Sequence, residues 1–164
     1  MLFRSAVAMK VLGIDPGLTR CGVGVLTGEP GKKLALVAVG VIRTPSDMAL
    51  ADRLHHINSG LAEWIELHRP DEISVERVFA QANRRSAMET AQAAGLALTL
   101  AAARNIPVTL HTPSEVKAAV TGSGRADKAQ VGEMVRRLLG LPEVPEPADA
   151  ADALRSEEHT SELQ

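Results

Sequence analysis

The chain has 164 residues and a mass of 17.4 kDa, which is room for one ordinary domain. With 45% hydrophobic and 23% charged residues and a net charge of −2, it cannot be a disordered or fibrous protein. It has no apolar run of the roughly 18–20 residues that cross a bilayer, so no membrane partner is expected. The single cysteine, Cys21, excludes an internal disulfide and thiolate-based structural zinc, and favours a cytoplasmic location.

Glycine and proline residues divide the apolar runs into short predicted strands and helices. The predicted strands are residues 10–15, 21–27, 34–42, 72–76 and 107–111. One long helix is predicted from Pro45–Asp47 to about His68 and a second from about Arg84 to Arg104, with shorter helices beginning near Pro113, Asp127 and Pro147. The first helix is predicted from an apolar stripe at spacings of three and four, formed by Leu50, Leu54, Ile57, Leu61 and Ile65.

This order of elements predicts an α/β fold. Short Gly/Pro links between the first three strands favour an antiparallel meander. A helical crossover from the third or the first strand then places the fourth strand parallel to its neighbour, which makes the sheet mixed. We therefore expect a five-stranded mixed sheet with helices on both faces.

Four acidic residues are candidates for a metal site. Asp15 and Glu76 each end a predicted strand, while Asp149 and Asp152 are three apart and share one face of the last predicted helix. Four carboxylates without an obvious basic partner would repel one another, and hard divalent cations relieve that repulsion. Oxygen ligands suit Mg²⁺ or Mn²⁺ better than Zn²⁺.

Each acid also has an ordinary structural explanation. Asp15 precedes Pro-Gly and could be a turn residue, Glu76 could be a solvated strand end, and Asp149 could cap a helix. The set is more informative than its members, because the predicted topology brings three separate segments of chain to one place.

Five segments, in the right order, resemble the RuvC family of bacterial crossover junction endodeoxyribonucleases, the Holliday junction resolvases. They are residues 11–25 (VLGIDPGLTRCGVGV), 75–79 (VERVF), 114–117 (SEVK), 124–128 (GRADK) and 148–154 (ADAADAL). The resemblance implies a ribonuclease H-like fold and a homodimer. It also implies Mg²⁺-dependent cutting of two strands at a four-way DNA junction, giving 5′-phosphate and 3′-hydroxyl ends in DNA recombination and repair. The branch-migration proteins RuvA and RuvB are the partners that it implies.

By the same resemblance, the catalytic, metal-binding acids are Asp15, Glu76, Asp149 and Asp152. They would hold two Mg²⁺ ions per active site, with Mn²⁺ as a substitute, and the two ions would activate water and stabilise the leaving oxygen. By analogy Asp15 would bridge both metals.

The predicted DNA-binding residues lie in a basic middle segment. Residues 77–137 carry nine Lys and Arg against four Asp and Glu, a net charge of +5 that the whole-chain average hides. The predicted contacts are Arg77, Arg84, Arg85, Lys117, Arg125 and Lys128, on loops or helix starts where free N–H groups also meet phosphates. Lys117 and Lys128 match family positions credited with DNA binding, and Phe79 resembles the family's base-stacking aromatic. A solvated surface charge, or for Phe79 a loop anchor in the core, is the alternative.

Both ends of the chain differ in character from the middle. We interpret residues 9–154 as the nuclease domain, residues 1–8 as an upstream extension and residues 155–164 as a non-native tail. After Leu154 the apolar helix typical of the family is replaced by Arg-Ser-Glu-Glu-His-Thr, so we expect weakened stability or loosely held Asp149 and Asp152.

Two other functions fit part of the sequence. Residues 13–17 (GIDPG) followed by a hairpin also resemble the phosphate loop of the actin and sugar-kinase ATPases, but a duplicated domain and further nucleotide motifs are missing. A junction-binding module without catalysis is the second alternative, which four intact acids disfavour.

Overall fold

The five strands form one mixed sheet, as the sequence predicts. A computed structural model describes residues 7–77 and 84–144. The strands are β1 (Met9–Asp15), β2 (Arg20–Gly28), β3 (Ala35–Arg43), β4 (Glu72–Glu76) and β5 (Val108–His111). The helices within the described residues are α1 (Leu50–His68), α2 (Arg84–Ala103), α3 (Pro113–Thr121) and α4 (Lys128–Leu139). The helix predicted near Pro147 lies outside the described residues.

The strand order is β3-β2-β1-β4-β5. β1, β2 and β3 pair antiparallel, which confirms the predicted meander, and β4 pairs parallel with both β1 and β5. The crossover through α1 therefore places β4 beside β1 and not beside β3. As a result, β1, β4 and β5 run in the same direction and their carboxyl ends lie at one edge of the sheet.

Side chains alternate between the two faces of the sheet, so one face is apolar and the other carries small and acidic residues. Leu12, Ile14 and Val75 are at most 3% exposed and belong to the core, which α1 and α2 complete. Because successive side chains point to opposite faces, Asp15 and Glu76 emerge on the other side of the sheet. The described helices show no segment that is both long and apolar enough to span a membrane.

The apolar stripe of α1 matches the prediction except at its amino-terminal end. Ile57, Leu61 and Ile65 are buried, as predicted, and Leu54 is partly buried. Leu50 was predicted in the stripe, but it is 46% exposed because it is the first residue of the helix. The buried residue at this end is Arg53, four residues before Ile57.

The start of α1 also differs from the prediction. The helix begins at Leu50 and not at Pro45–Asp47, because the segment before it forms a turn in which the Met48 N–H donates to the Pro45 carbonyl at 3.3 Å. Ala49 precedes the helix and makes no side-chain capping bond.

One side of α2 is packed and the other is open. The sequence predicts that so apolar a helix is buried or covered by a partner, and Ala93, Ala97 and Ala101 are indeed fully buried in contact with the core. Met88, on the amino-terminal half, is 65% exposed. The small alanine side chains let α2 lie close to α1 and the sheet. Because Met88 is exposed, packing within the chain accounts for only part of the apolar surface of α2.

Candidate active site at the carboxyl edge of the sheet

Asp15 and Glu76 end neighbouring parallel strands. Ile14 is paired with Val75 across β1 and β4, so the next residue on each strand is one of the two acids. Both side chains leave the same face of the sheet, opposite the core. The topology therefore brings together these two predicted acids, which are 61 positions apart in the sequence.

Both carboxyl groups have raised pKa values, and the charge of Asp15 contributes to the shift of Glu76. Partial burial raises the pKa of Glu76, the nearby Asp15 charge raises it further, and Lys117 opposes both effects. Partial burial also raises the pKa of Asp15, although its side chain reaches solvent, and Lys128 opposes that rise. Crowded carboxylates that disfavour their own charged forms are the electrostatic arrangement that a divalent cation relieves.

The turn after Asp15 is tight. A Cβ on Gly17 would lie 2.2 Å from the Arg20 carbonyl oxygen, so only glycine fits there. The Gly17 N–H donates to the sulfur of Cys21, which is fully buried. Burial raises the pKa of the Cys21 thiol to about 11, so this cysteine is a packing residue and not a nucleophile.

Two short helices carry the lysines that face the acids. Lys117 lies in the second turn of α3 and Lys128 is the first residue of α4, and their charges act on Glu76 and Asp15 respectively. α3 and α4 therefore present basic groups on the side of the sheet from which the acids emerge. Lys117 was predicted on a loop or helix start, but it lies within the helix.

The amino termini of these helices are closed by their own side chains. Thr112 and Glu115 form a capping box at α3, and Asp127 and Gln130 form another at α4. The prediction that free N–H groups there meet phosphates is therefore wrong for the four backbone donors that these boxes occupy.

The four predicted arginines are exposed. Arg77 follows β4, and its N–H donates to the His111 carbonyl at 2.6 Å. Arg84 and Arg85 open α2, where the Arg85 guanidinium lies 3.5 Å from Glu89. Arg125 lies in the turn between α3 and α4.

The remaining predicted site residues, Phe79, Asp149 and Asp152, lie outside the described residues. Across residues 7–77 and 84–144, no group of three or more His, Cys, Asp and Glu side chains is close enough to hold a metal ion. The described part of the site is thus one pair of acids, each with a lysine whose charge lowers its pKa.

Sequence reasoning missed a buried polar network next to this site. The Arg53 guanidinium donates to the hydroxyls of Thr44 and Thr19, each at 2.9 Å. The signal was present in the spacing, because Arg53 lies four residues before Ile57 and continues the stripe that Ile57, Leu61 and Ile65 form. A charged residue at a position on the buried stripe of a helix indicates a specific partner in the core.

The strand order and the paired acids define a ribonuclease H-like α/β domain with an acidic site at its carboxyl edge. The family model of crossover junction endodeoxyribonuclease RuvC matches residues 11–156. The chain belongs to the RuvC family.

Curated relatives and a solved structure agree with this assignment. A RuvC of Parafrankia sp. (strain EAN1pec) is 62% identical over 89% of this chain and 82% of its own length. A Streptomyces griseus RuvC is 64% identical over 89% of this chain and 72% of its own length. The solved structure of T. thermophilus RuvC in complex with Holliday junction substrate is 36% identical, with a TM-score of 0.80, and the match covers 89% of this chain and 88% of that one.

Proposed function

We propose that this chain is a structure-selective endonuclease that resolves four-way DNA junctions by metal-dependent hydrolysis of phosphodiester bonds. The observation that carries the proposal is the placement of Asp15 and Glu76 on adjacent strand ends, with Lys128 and Lys117 acting on them. Acids that bind metal and lysines that bind phosphate are the two components that hydrolysis of a DNA strand needs.

The donor set fits Mg²⁺. Asp15 and Glu76 offer only oxygen ligands, and Asp149 and Asp152 would add two more carboxylates from the carboxyl-terminal segment. These residues would hold a pair of ions, whose positive charge would activate water and stabilise the leaving oxygen, and the products would have 5′-phosphate and 3′-hydroxyl ends. Mn²⁺, which accepts the same ligands, should substitute.

DNA would be held by the basic residues around the acids. Lys117 and Lys128 would contact phosphates beside the reacting bond, and Arg77, Arg84, Arg85 and Arg125 would contact the flanking backbone. Phe79 would stack on a base, a contact worth about 1–3 kcal/mol. This contact set makes binding depend strongly on salt.

Cutting both strands of a junction needs two active sites. A homodimer with two-fold symmetry would supply them, and the exposed Met88 side of α2 is the apolar surface available for such a contact. The T. thermophilus relative was solved with Holliday junction substrate, which supports junction DNA as the ligand. RuvA and RuvB would act with this enzyme during branch migration.

The test is cleavage of a synthetic four-way junction and of a linear duplex, with and without Mg²⁺. We expect symmetric nicks in the junction, an intact duplex and no reaction without metal. Asp15→Asn should lower the cleavage rate by about 10³-fold or more, because a metal ligand is lost. Junction binding should remain largely intact, because no DNA contact is removed.

Asp71→Asn is the matched control, since Asp71 lies at the opposite end of the sheet and its carboxylate accepts from the Lys10 N–H at 2.7 Å. This variant should cut at the wild-type rate. Full cleavage by Asp15→Asn would contradict the assignment of Asp15. Junction binding without cleavage at any metal concentration would instead favour the binding module without catalysis.

A further inference from the structure

A buried arginine ties the turn after Asp15 to the start of α1. Arg53 is 6% exposed, and its Nε and Nη2 groups donate to Thr44 and Thr19. The Thr44 hydroxyl in turn donates to the Leu18 carbonyl, and the Thr44 N–H donates to the Thr19 carbonyl at 3.1 Å. Four hydrogen bonds thus join the turn at Leu18 and Thr19 to Thr44 and Arg53.

The charge of Arg53 makes this arrangement costly. Among the described residues no carboxylate pairs with its guanidinium, which is held by neutral hydroxyls alone. A buried cation without an anionic partner is unfavourable compared with an apolar side chain of similar size. The planar fork of arginine holds two acceptors in a fixed geometry, whereas the lysine ammonium is a compact point charge on a flexible stem and an apolar residue has no donor.

The network acts on the segment that carries Asp15. Leu18 and Thr19 lie three and four residues after Asp15, and the intervening Pro16 and Gly17 form the tight turn described above. A turn tied at Leu18 and Thr19 cannot move without breaking bonds to Thr44 and Arg53. The end of β1 is therefore held from both sides, by its strand partners and by this network.

We infer that Arg53 is a positioning residue, which acts through the Thr19 and Thr44 hydroxyls to keep the Asp15 carboxylate beside Glu76. The inference rests on the proposed function of Asp15. Its physical basis is that a shift of about 1 Å in a catalytic group can lower a rate by about 100-fold.

Cys21 provides a readout that is independent of activity. It is the single cysteine of the chain, it is fully buried, and the Gly17 N–H donates to its sulfur. The rate at which a thiol reagent modifies Cys21 in metal-free protein therefore reports how often the turn opens. We expect Arg53→Met to raise that rate about tenfold or more, because the loss of one or two hydrogen bonds is enough for a tenfold change. Arg53→Lys should raise the rate less.

Cleavage under single-turnover conditions tests the consequence for catalysis. Arg53→Met should lower the maximal rate by about 10- to 100-fold and raise the Mg²⁺ concentration at half-maximal rate, with junction affinity unchanged. Thr19→Val, at an exposed position, should show the same pattern more weakly, and Thr19→Ser should restore the rate. Arg104→Met is the matched control: Arg104 pairs with Glu66 near the far end of the sheet, at 3.1 Å.

The variants separate this inference from the proposed function. If the wild-type chain fails to cut junctions, the proposed function is wrong, and Cys21 modification still measures the restraint by Arg53. If Arg53→Met does not fold, Thr19→Val decides the question. The inference would be overturned if folded Thr19→Val and Arg53→Met both behaved like the wild-type chain in cleavage rate, in metal dependence and in the protection of Cys21.

Discussion

Helices α1 and α4 are stabilised in different ways. α1 has 19 residues, buries Ile57, Leu61 and Ile65, and begins without a side-chain cap. α4 has 12 residues, buries none of them fully, and carries a capping box at Asp127 and a left-handed glycine, Gly140, at its end. Packing against the sheet stabilises α1, whereas local hydrogen bonds stabilise α4.

The same difference separates the two acids at the strand ends from the two lysines on the short helices. Asp15 and Glu76 end strands that belong to the core formed with α1 and α2, so the positions of these two acids depend on the core. Lys117 and Lys128 lie on α3 and α4, which fold through local signals at the surface. We expect the acids to be held rigidly and the lysines to adjust to DNA, because surface helices with few buried contacts open at lower cost.

Removing the same side chain from each helix should affect stability very differently. Leu61 on α1 is fully buried, so Leu61→Ala should cost about 2–5 kcal/mol of unfolding free energy. Leu138 on α4 is 45% exposed, so Leu138→Ala should cost less than about 0.5 kcal/mol. Urea unfolding followed by circular dichroism measures both. Similar costs for the two variants would mean that α4 also depends on packing.

Much of the fold could be predicted from local patterns. Gly and Pro links separate the strands, and alternation assigns their faces, so each predicted strand lies within a residue or two of its observed bounds. The convergence of Asp15 and Glu76 followed from the rule that parallel neighbours end at one edge. Lys117 and Lys128 came from family resemblance, because a single lysine carries no local signal.

The start of α1 and the role of Arg53 could not be predicted in the same way. Pro45 and Asp47 are good helix-start residues, yet the chain uses them for a turn that brings Thr44 against Leu18. From the sequence alone Arg53 is interpreted as a surface charge, and only the structure shows its contacts with Thr19 and Thr44. They depend on contacts of Thr44 with Leu18 and of Arg53 with Thr19, which are 26 and 34 positions apart and which periodicity within one helix cannot report.

A second prediction removes a cap instead of a packed side chain. Asp127→Ala takes away the acceptor for the Gln130 N–H, which lies 2.8 Å from the Asp127 carboxylate, and should cost about 1 kcal/mol. Asp52→Ala in the first turn of α1 should cost less, because Asp52 makes no capping bond. Hydrogen exchange of amides in α4 should accelerate only in the first variant. Equal behaviour of the two variants would contradict a capping role for Asp127.

The smallest expected effect concerns the charges on the surface of α4. Glu133 accepts from Arg136 at 2.9 Å and from Arg137 at 2.8 Å, and these hydrogen bonds lower its pKa from 4.5 to about 2. A depressed pKa contributes stability that is present above the unfolded value of 4.5 and is lost as pH falls toward about 2.

The melting temperatures of the wild-type chain and Glu133→Gln should therefore differ slightly near neutral pH and converge as pH falls below 4.5. The effect is small because the side chains are exposed and solvent screens them. Glu63→Gln on α1 is the control, since Glu63 is exposed and forms no ion pair among the described residues. A difference that stayed constant with pH would mean that the Glu133 charge does not stabilise α4, and that its caps alone hold the helix that presents Lys128.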